Sequence, residues 1–266
     1  MKASTQNLTR ADLLAIPTPV KTASYTPITC EQIFNTLDKL CLEFGISVKS
    51  ENFTIRRHGD QQRMRFFFDG NIDTFSKELV IINSYNKSIA LRAAAGTSVV
   101  VCSNGVLVGN IKIYKKHTSN VDVLFEEFLR DCIADMTNLY QFAEDTAAEY
   151  KDVILTEEDI ARYLGEMFFS EDTLSSTQLN IVKREFEKPS YDYGCDPYSL
   201  WAFYQHLTLA LNKENVEDYL ETRIAIQEKM GNIYLSMTEG LDDEDTNGDE
   251  DEDEDYIDFT ISDDEE

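Results

Sequence analysis

Across residues 46–117 the apolar side chains recur at every second position; from Val121 onward they recur at every third and fourth. Strands alternate faces with a period of two and helices repeat every 3.6 residues, so this change predicts a sheet followed by helices. In the first region Ile46 and Val48 alternate with Ser47 and Lys49, and Phe53 and Ile55 flank Thr54. His58-Gly59-Asp60 then supplies a turn before residues 63–68, and residues 79–83 and 91–95 read as further strands. Asn104-Gly105 is the strongest turn dipeptide in the chain, because both residues tolerate positive φ. It predicts a hairpin entered by residues 99–102 and left by residues 106–108. Residues 110–116 alternate polar with apolar, as a strand with one basic, wet face should. Several short strands separated by polar turns predict an antiparallel or mixed sheet.

Helices flank this region. Thr29 reads as an N-cap with Gln32 three residues on, as in a capping box. Ile33, Phe34, Leu37, Leu40, Cys41 and Phe44 follow as one apolar stripe, and Gly45 supplies the stop. That helix is expected to pack on the sheet. Helical spacing resumes over residues 121–143, after Thr156, over 174–186, over 198–211 behind Pro197, and over 216–237. The chain is therefore expected to be α+β. An extended arm (1–28, with a short helical turn at 10–16) precedes a β-rich basic segment with one packed helix (29–118). A helical acidic segment sharing its core (119–240) and a disordered acidic tail (241–266) complete it.

Net charge is −26, and its distribution matters more than its total. Residues 46–117 carry 11 basic and 5 acidic side chains, residues 118–240 carry 9 and 25, and residues 241–266 carry none and 16. A tract such as 242–255 repels itself and buries nothing, which predicts disorder. The five cysteines are scattered without a CxxC pair and read as reduced thiols of a cytosolic protein. No apolar run suits a signal peptide or a membrane span. The expected location is a host cytoplasm.

Five stretches taken in order carry a resemblance: Asn83-Ser84-Tyr85-Asn86-Lys87-Ser88, the small-residue run 91–96 ending in Gly96, the run 99–109, Lys115-Lys116-His117-Thr118, and residues 199–208 with Trp201, Phe203 and Thr208. Together they resemble a family of phage- and plasmid-encoded proteins defined only as a domain of unknown function. The resemblance spans roughly residues 30–225 and implies a mobile-element gene. It implies no reaction.

The residues themselves point away from catalysis. His58, His117 and His206 lie far apart with no second ligand nearby, so no metal or other cofactor is expected. Cys102 and His117 are the one pair a fold would have to assemble, but Cys102 sits in a valine run that reads as buried strand. Glu126-Glu127 and Glu157-Glu158 read as solvated helix surface. The segments around Asn83 and Asn104 read as turns whose side chains cap the backbone.

The basic set is the better candidate. Arg56, Arg57, Arg63 and Arg65 flank one hairpin turn, and Lys112, Lys115, Lys116 and His117 lie on another strand. Joined on one face with Phe53, Phe66, Phe68 and Tyr114, they would track phosphates and stack bases of single-stranded nucleic acid. The plainer alternative is ordinary wet-face charge. In the tail, Tyr256, Ile257, Phe259 and Ile261 follow the acid run and would suit docking to a host or phage protein. The expected function is a non-enzymatic accessory protein of phage or mobile-element DNA metabolism. Two alternatives remain: an acidic DNA mimic that blocks a host defence protein through its acidic helices, and a packaged virion component.

Overall fold

Helix starts are written locally. α1 (Arg10–Leu14) and α2 (Cys30–Phe44) each begin behind a threonine, Thr9 and Thr29, whose hydroxyl accepts from the backbone N–H three residues on. The side chains of Asp12 and Gln32 return a bond to the cap's own N–H, closing both capping boxes. Gly45 ends α2 in the left-handed region at φ 65°. The structure, a computed structural model, describes residues 8–22, 25–68, 75–99, 104–106, 111–113, 121–213 and 218–238.

Among the described residues six strands follow: β1 (Val48–Arg56), β2 (Gln61–Phe68), β3 (Phe75–Ser84), β4 (Arg92–Val99), β5 (Asn104–Val106) and β6 (Ile111–Ile113). All described pairings are antiparallel, in the order β1-β2-β3-β4-β5. β6 lies beside β5 along the outer edge of β4: residues 104–106 pair with the end of β4 and residues 111–113 with its start. The Asn104-Gly105 expectation is corrected here. Asn104 pairs with Val99 and Gly105 with Ser98, so the dipeptide is strand rather than turn. Ladder bonds to β4 outweigh a local preference for the turn.

The helical half comprises α3 (Val121–Asp152), α4 (Glu157–Gly165), a π-helical turn at Glu166–Ser170, α5 (Ser176–Glu187), α6 (Leu200–Ala210) and α7 (Tyr219–Thr238). The fold is thus α+β, an antiparallel sheet with a packed helix followed by a helical half. α3 runs past the expected 143 because Ala143, Ala147 and Tyr150 continue its buried stripe one turn at a time.

One face of the sheet carries Phe53, Met64, Phe66, Phe68, Leu79, Ile81, Ala93 and Ala95. It buries them against Ile33, Phe34, Leu37 and Leu40 of α2 and Phe125, Leu129 and Ile133 of α3. Phe53, Phe66 and Phe68, expected to stack bases, are therefore core, with Phe53 and Phe66 packing against Phe34 of α2 at 5.8–6.3 Å between ring centroids. A second cluster surrounds α6, where every residue from Leu200 to Thr208 is buried between the end of α3, α4, α5 and α7.

The other sheet face is not wet. Val80, Ile82 and Ala94 are closed over by Tyr219 and Leu220, the first residues of α7. Arg63 and Arg65 of β2 lie on this face and are 7% and 5% exposed. The alternation in β2 was legible, but the helix that covers its polar side begins some 150 residues later.

Candidate nucleic-acid interface

The turn between β1 and β2 is tight and left-handed. Arg57, His58 and Gly59 have φ of 50°, 60° and 100° in succession. Such values are costly for residues with a Cβ, so the two non-glycine positions store backbone strain. Gly59 has a further reason to lack a Cβ, since one would lie 3.0 Å from Ile16 Cγ2. The reversal turns Arg56, Arg57 and His58 outward, and all three are exposed.

Two neighbouring segments are tied to that turn. The Asp60 carbonyl accepts from the Tyr85 N–H at 2.7 Å, and the Gln61 amide donates to Ser88 Oγ at 2.8 Å. Asn86 shapes the 84–88 loop by accepting from Ser84 Oγ and from the Ser88 N–H. The loop's apex, Lys87, is exposed and left-handed at φ 62°. Its ammonium sits 4.5 Å from the centre of the Tyr25 ring, whose hydroxyl donates to the carbonyls of Ser84 and Tyr85. Residues 15–22 cross the same end: Ile16 rests on Gly59, and exposed Lys21 precedes the backbone bridge between Thr22 and Tyr25.

One end of the sheet therefore gathers Lys21, Arg56, Arg57, His58 and Lys87, with Asp60 beside them. Register adds direction to this. Ile113 pairs with Arg92 and Ile111 with Ala94, so β6 runs toward this same end. Lys115, Lys116 and His117 follow β6 in the chain but lie outside the described residues, as do the side chain of Lys112 and residues Cys102 and Tyr114. Tyr256, Ile257, Phe259 and Ile261 lie outside them too.

Arg63 and Arg65 do not join that surface. Arg65 is bound to Glu78 through Nε and Oε1, with Nη2 3.1 Å from Oε2, and lies 4.9 Å from the Phe67 ring. Arg63 donates from Nη2 to Thr54 Oγ1 at 3.2 Å and covers the Tyr219 ring at 4.0 Å. Arg223 of α7 approaches the same ring at 4.6 Å. Burial pushes the Arg63 guanidinium down to about 10, still charged at neutral pH. Arg65 is thus tied within the sheet, while Arg63 and Arg223 meet on the Tyr219 ring where the sheet contacts α7.

The carboxylate pairs are surface groups. Glu126 accepts from Lys39 at 2.6 Å, Glu157 accepts from the Tyr198 hydroxyl at 3.1 Å, and Glu127 and Glu158 are exposed. Among the described residues no group of three or more His, Cys, Asp or Glu side chains is placed to hold a metal ion. None of the described helices is long and apolar enough to cross a membrane.

The sequence pointed to Arg56 and Arg57 but not to Lys21 and Lys87, which reach this end through topology alone. Lys87 lies in the run 83–88, one of the stretches on which the resemblance to a family rests. A model of that family, described as a domain of unknown function (DUF932), matches residues 19–239. The chain belongs to this family. None of the curated proteins and none of the solved structures compared with it matches. The matched span of this DUF932 protein includes the whole sheet, the basic end and all helices from α2 onward.

Proposed function

We propose that this DUF932 protein contacts single-stranded nucleic acid through the cationic end of its sheet. It would act as a non-enzymatic accessory of phage or mobile-element DNA metabolism in the host cytoplasm. The observation that carries this reading is the convergence of Lys21, Arg56, Arg57, His58 and Lys87 on three segments bonded to one another. Such clustering stands out in a chain of net charge −26. Exposed carboxylates such as Glu127, Asp131, Glu149 and Glu158 cover the helical half and would repel a duplex laid across the molecule. A flexible single strand touches a compact cationic end without meeting them. With Phe53, Phe66 and Phe68 in the core, phosphate contact supplies the affinity.

Fluorescence anisotropy with labelled single- and double-stranded oligonucleotides, over a range of salt, tests this. Neutralising four phosphates gives a slope of log K against log salt of roughly −3 on single strands. The double substitution Arg56→Glu with Arg57→Glu should abolish binding, and a chain ending at Gly240 should bind more tightly if the acidic tail competes in cis. No binding at low salt by either chain length overturns the reading. An acidic-surface partner, as a DNA mimic would have, then becomes the next target.

A further inference from the structure

A second feature lies in the helical half. Between α5 and α6, the loop 188–199 stands over α6 and encloses a cavity of about 360 Å³. That volume lies within the range of small-ligand sites. The loop is tied at each bend. Glu185, fully buried, accepts from the Ser190 N–H and Oγ at 2.7 and 2.8 Å. Asp192 accepts from the Gly194 N–H at 2.9 Å, Asp196 from the Tyr198 N–H at 2.8 Å, and Cys195 Sγ from Ser199 Oγ at 3.2 Å. The cavity is therefore held open by hydrogen bonds rather than left as a packing gap.

Its walls are flat. Tyr191 and Tyr193 stand with ring centroids 6.3 Å apart, flanked by Pro189 and Pro197. Its floor is Ala202 and His206, one turn apart on α6. His206 is 1% exposed, and neither ring nitrogen has a hydrogen-bond partner among the described residues. The Phe186 and Tyr193 rings hold the imidazole edge-on at 4.7 and 5.8 Å. Burial pushes the imidazole down to about 4, so at neutral pH it offers one N–H donor and one bare acceptor. A buried donor and acceptor left unmet are costly, and a ligand that meets them recovers that cost.

The surrounding charge narrows the class. Asp192 is the ionised group among the described lining residues, and its carboxylate at the rim disfavours anions; behind the cavity Glu185 lies 3.7 Å from Arg184 Nη2. Aromatic walls favour a planar ring, and a neutral imidazole favours a ring bearing its own donors and acceptors. We propose that this cavity takes an uncharged nucleobase, with its ring against Tyr191 and Tyr193 and a polar edge on His206. The base arrives as a free nucleoside or turned out of a strand, two sources with the same chemistry.

The test uses the full chain labelled with 13C in its 3 histidines. Adenosine, cytidine and uridine are added to about 10 mM, a level chosen because small ligands of this size bind weakly. Nucleosides carry no phosphate, so the cationic sheet end has nothing to hold. The expected result is a saturable shift of the His206 signal that is unchanged by salt and leaves His58 unmoved. Tyr191→Ala, at a half-exposed position, should weaken it at least tenfold, as should His206→Phe read by calorimetry. A stationary His206 signal, or a shift that Tyr191→Ala leaves intact, overturns the proposal. Oligonucleotides with and without an abasic position then separate the sources: a shift lost at the abasic position assigns a base in a strand, and a shift with nucleosides alone assigns the free form. The Arg56→Glu, Arg57→Glu chain should keep its nucleoside response. Failure of oligonucleotide binding therefore sinks the sheet-end reading without touching this one.

Discussion

His206 also makes stability depend on pH in a way that can be isolated. Its ring is buried against Phe186 and Tyr193, and burial lowers its pKa from 6.5 to about 4. The sign follows from which state holds the proton more tightly. Between these values the unfolded chain binds the proton and the folded chain does not, so protons favour unfolding. The contribution is complete above 6.5 and is lost as pH falls toward 4. Integrating between pH 7 and pH 5 gives a loss of roughly 2 kcal/mol from this one group. Carboxylates titrate below that window, so a comparison with His206→Phe, which keeps a ring of similar size, removes the background. Urea unfolding of both chains at pH 7, 6 and 5 should show the wild type losing stability faster, with the gap widening by roughly 2 kcal/mol. Parallel profiles for the two chains would refute the reasoning. So would a His206 ring that titrates near 6.5, since that would mean water solvates the imidazole freely.

Three further outcomes follow from the sheet's second face and its turn. Glu78→Gln leaves Arg65 buried without its carboxylate and should cost about 3–5 kcal/mol in chemical denaturation. Arg63→Met keeps the packing on Tyr219 while removing a buried charge that has no ion-pair contact with a carboxylate among the described residues; it should be neutral or stabilising by about 1–2 kcal/mol, read as a rise in the urea midpoint. Gly59→Ala meets both a φ of 100° and Ile16 at 3.0 Å, so thermal unfolding should report a loss of about 1–3 kcal/mol, with oligonucleotide affinity falling as the turn distorts.

What the chain states by itself is whatever depends on neighbours a few residues away. Thr29 with Gln32 and Gly45 bound α2 on local hydrogen bonds and one left-handed residue. Thr156 starts α4 in the same manner, through Asp159. The alternation 61–68 and the stripe from Phe125 to Met136 declare strand and helix, because a period is a property of a short window. Tertiary structure decided everything that depends on which distant surface arrives. Arg63 looks like a wet-face cation until Tyr219 closes over it beside Arg223, and Arg65 until Glu78 binds it on the same buried face. Asn104-Gly105 looks like a turn until β4 offers it a ladder. Lys21, Arg57 and Lys87 look unrelated until three antiparallel crossings bring them to one end. Likewise His206 lies in a buried helix, and only the loop from Pro189 to Pro197 makes it the floor of a cavity. Local propensity is read within a helical turn or a hairpin. Burial of a polar side chain is set by the element packed over it, and for Arg63 that element lies more than a hundred residues away.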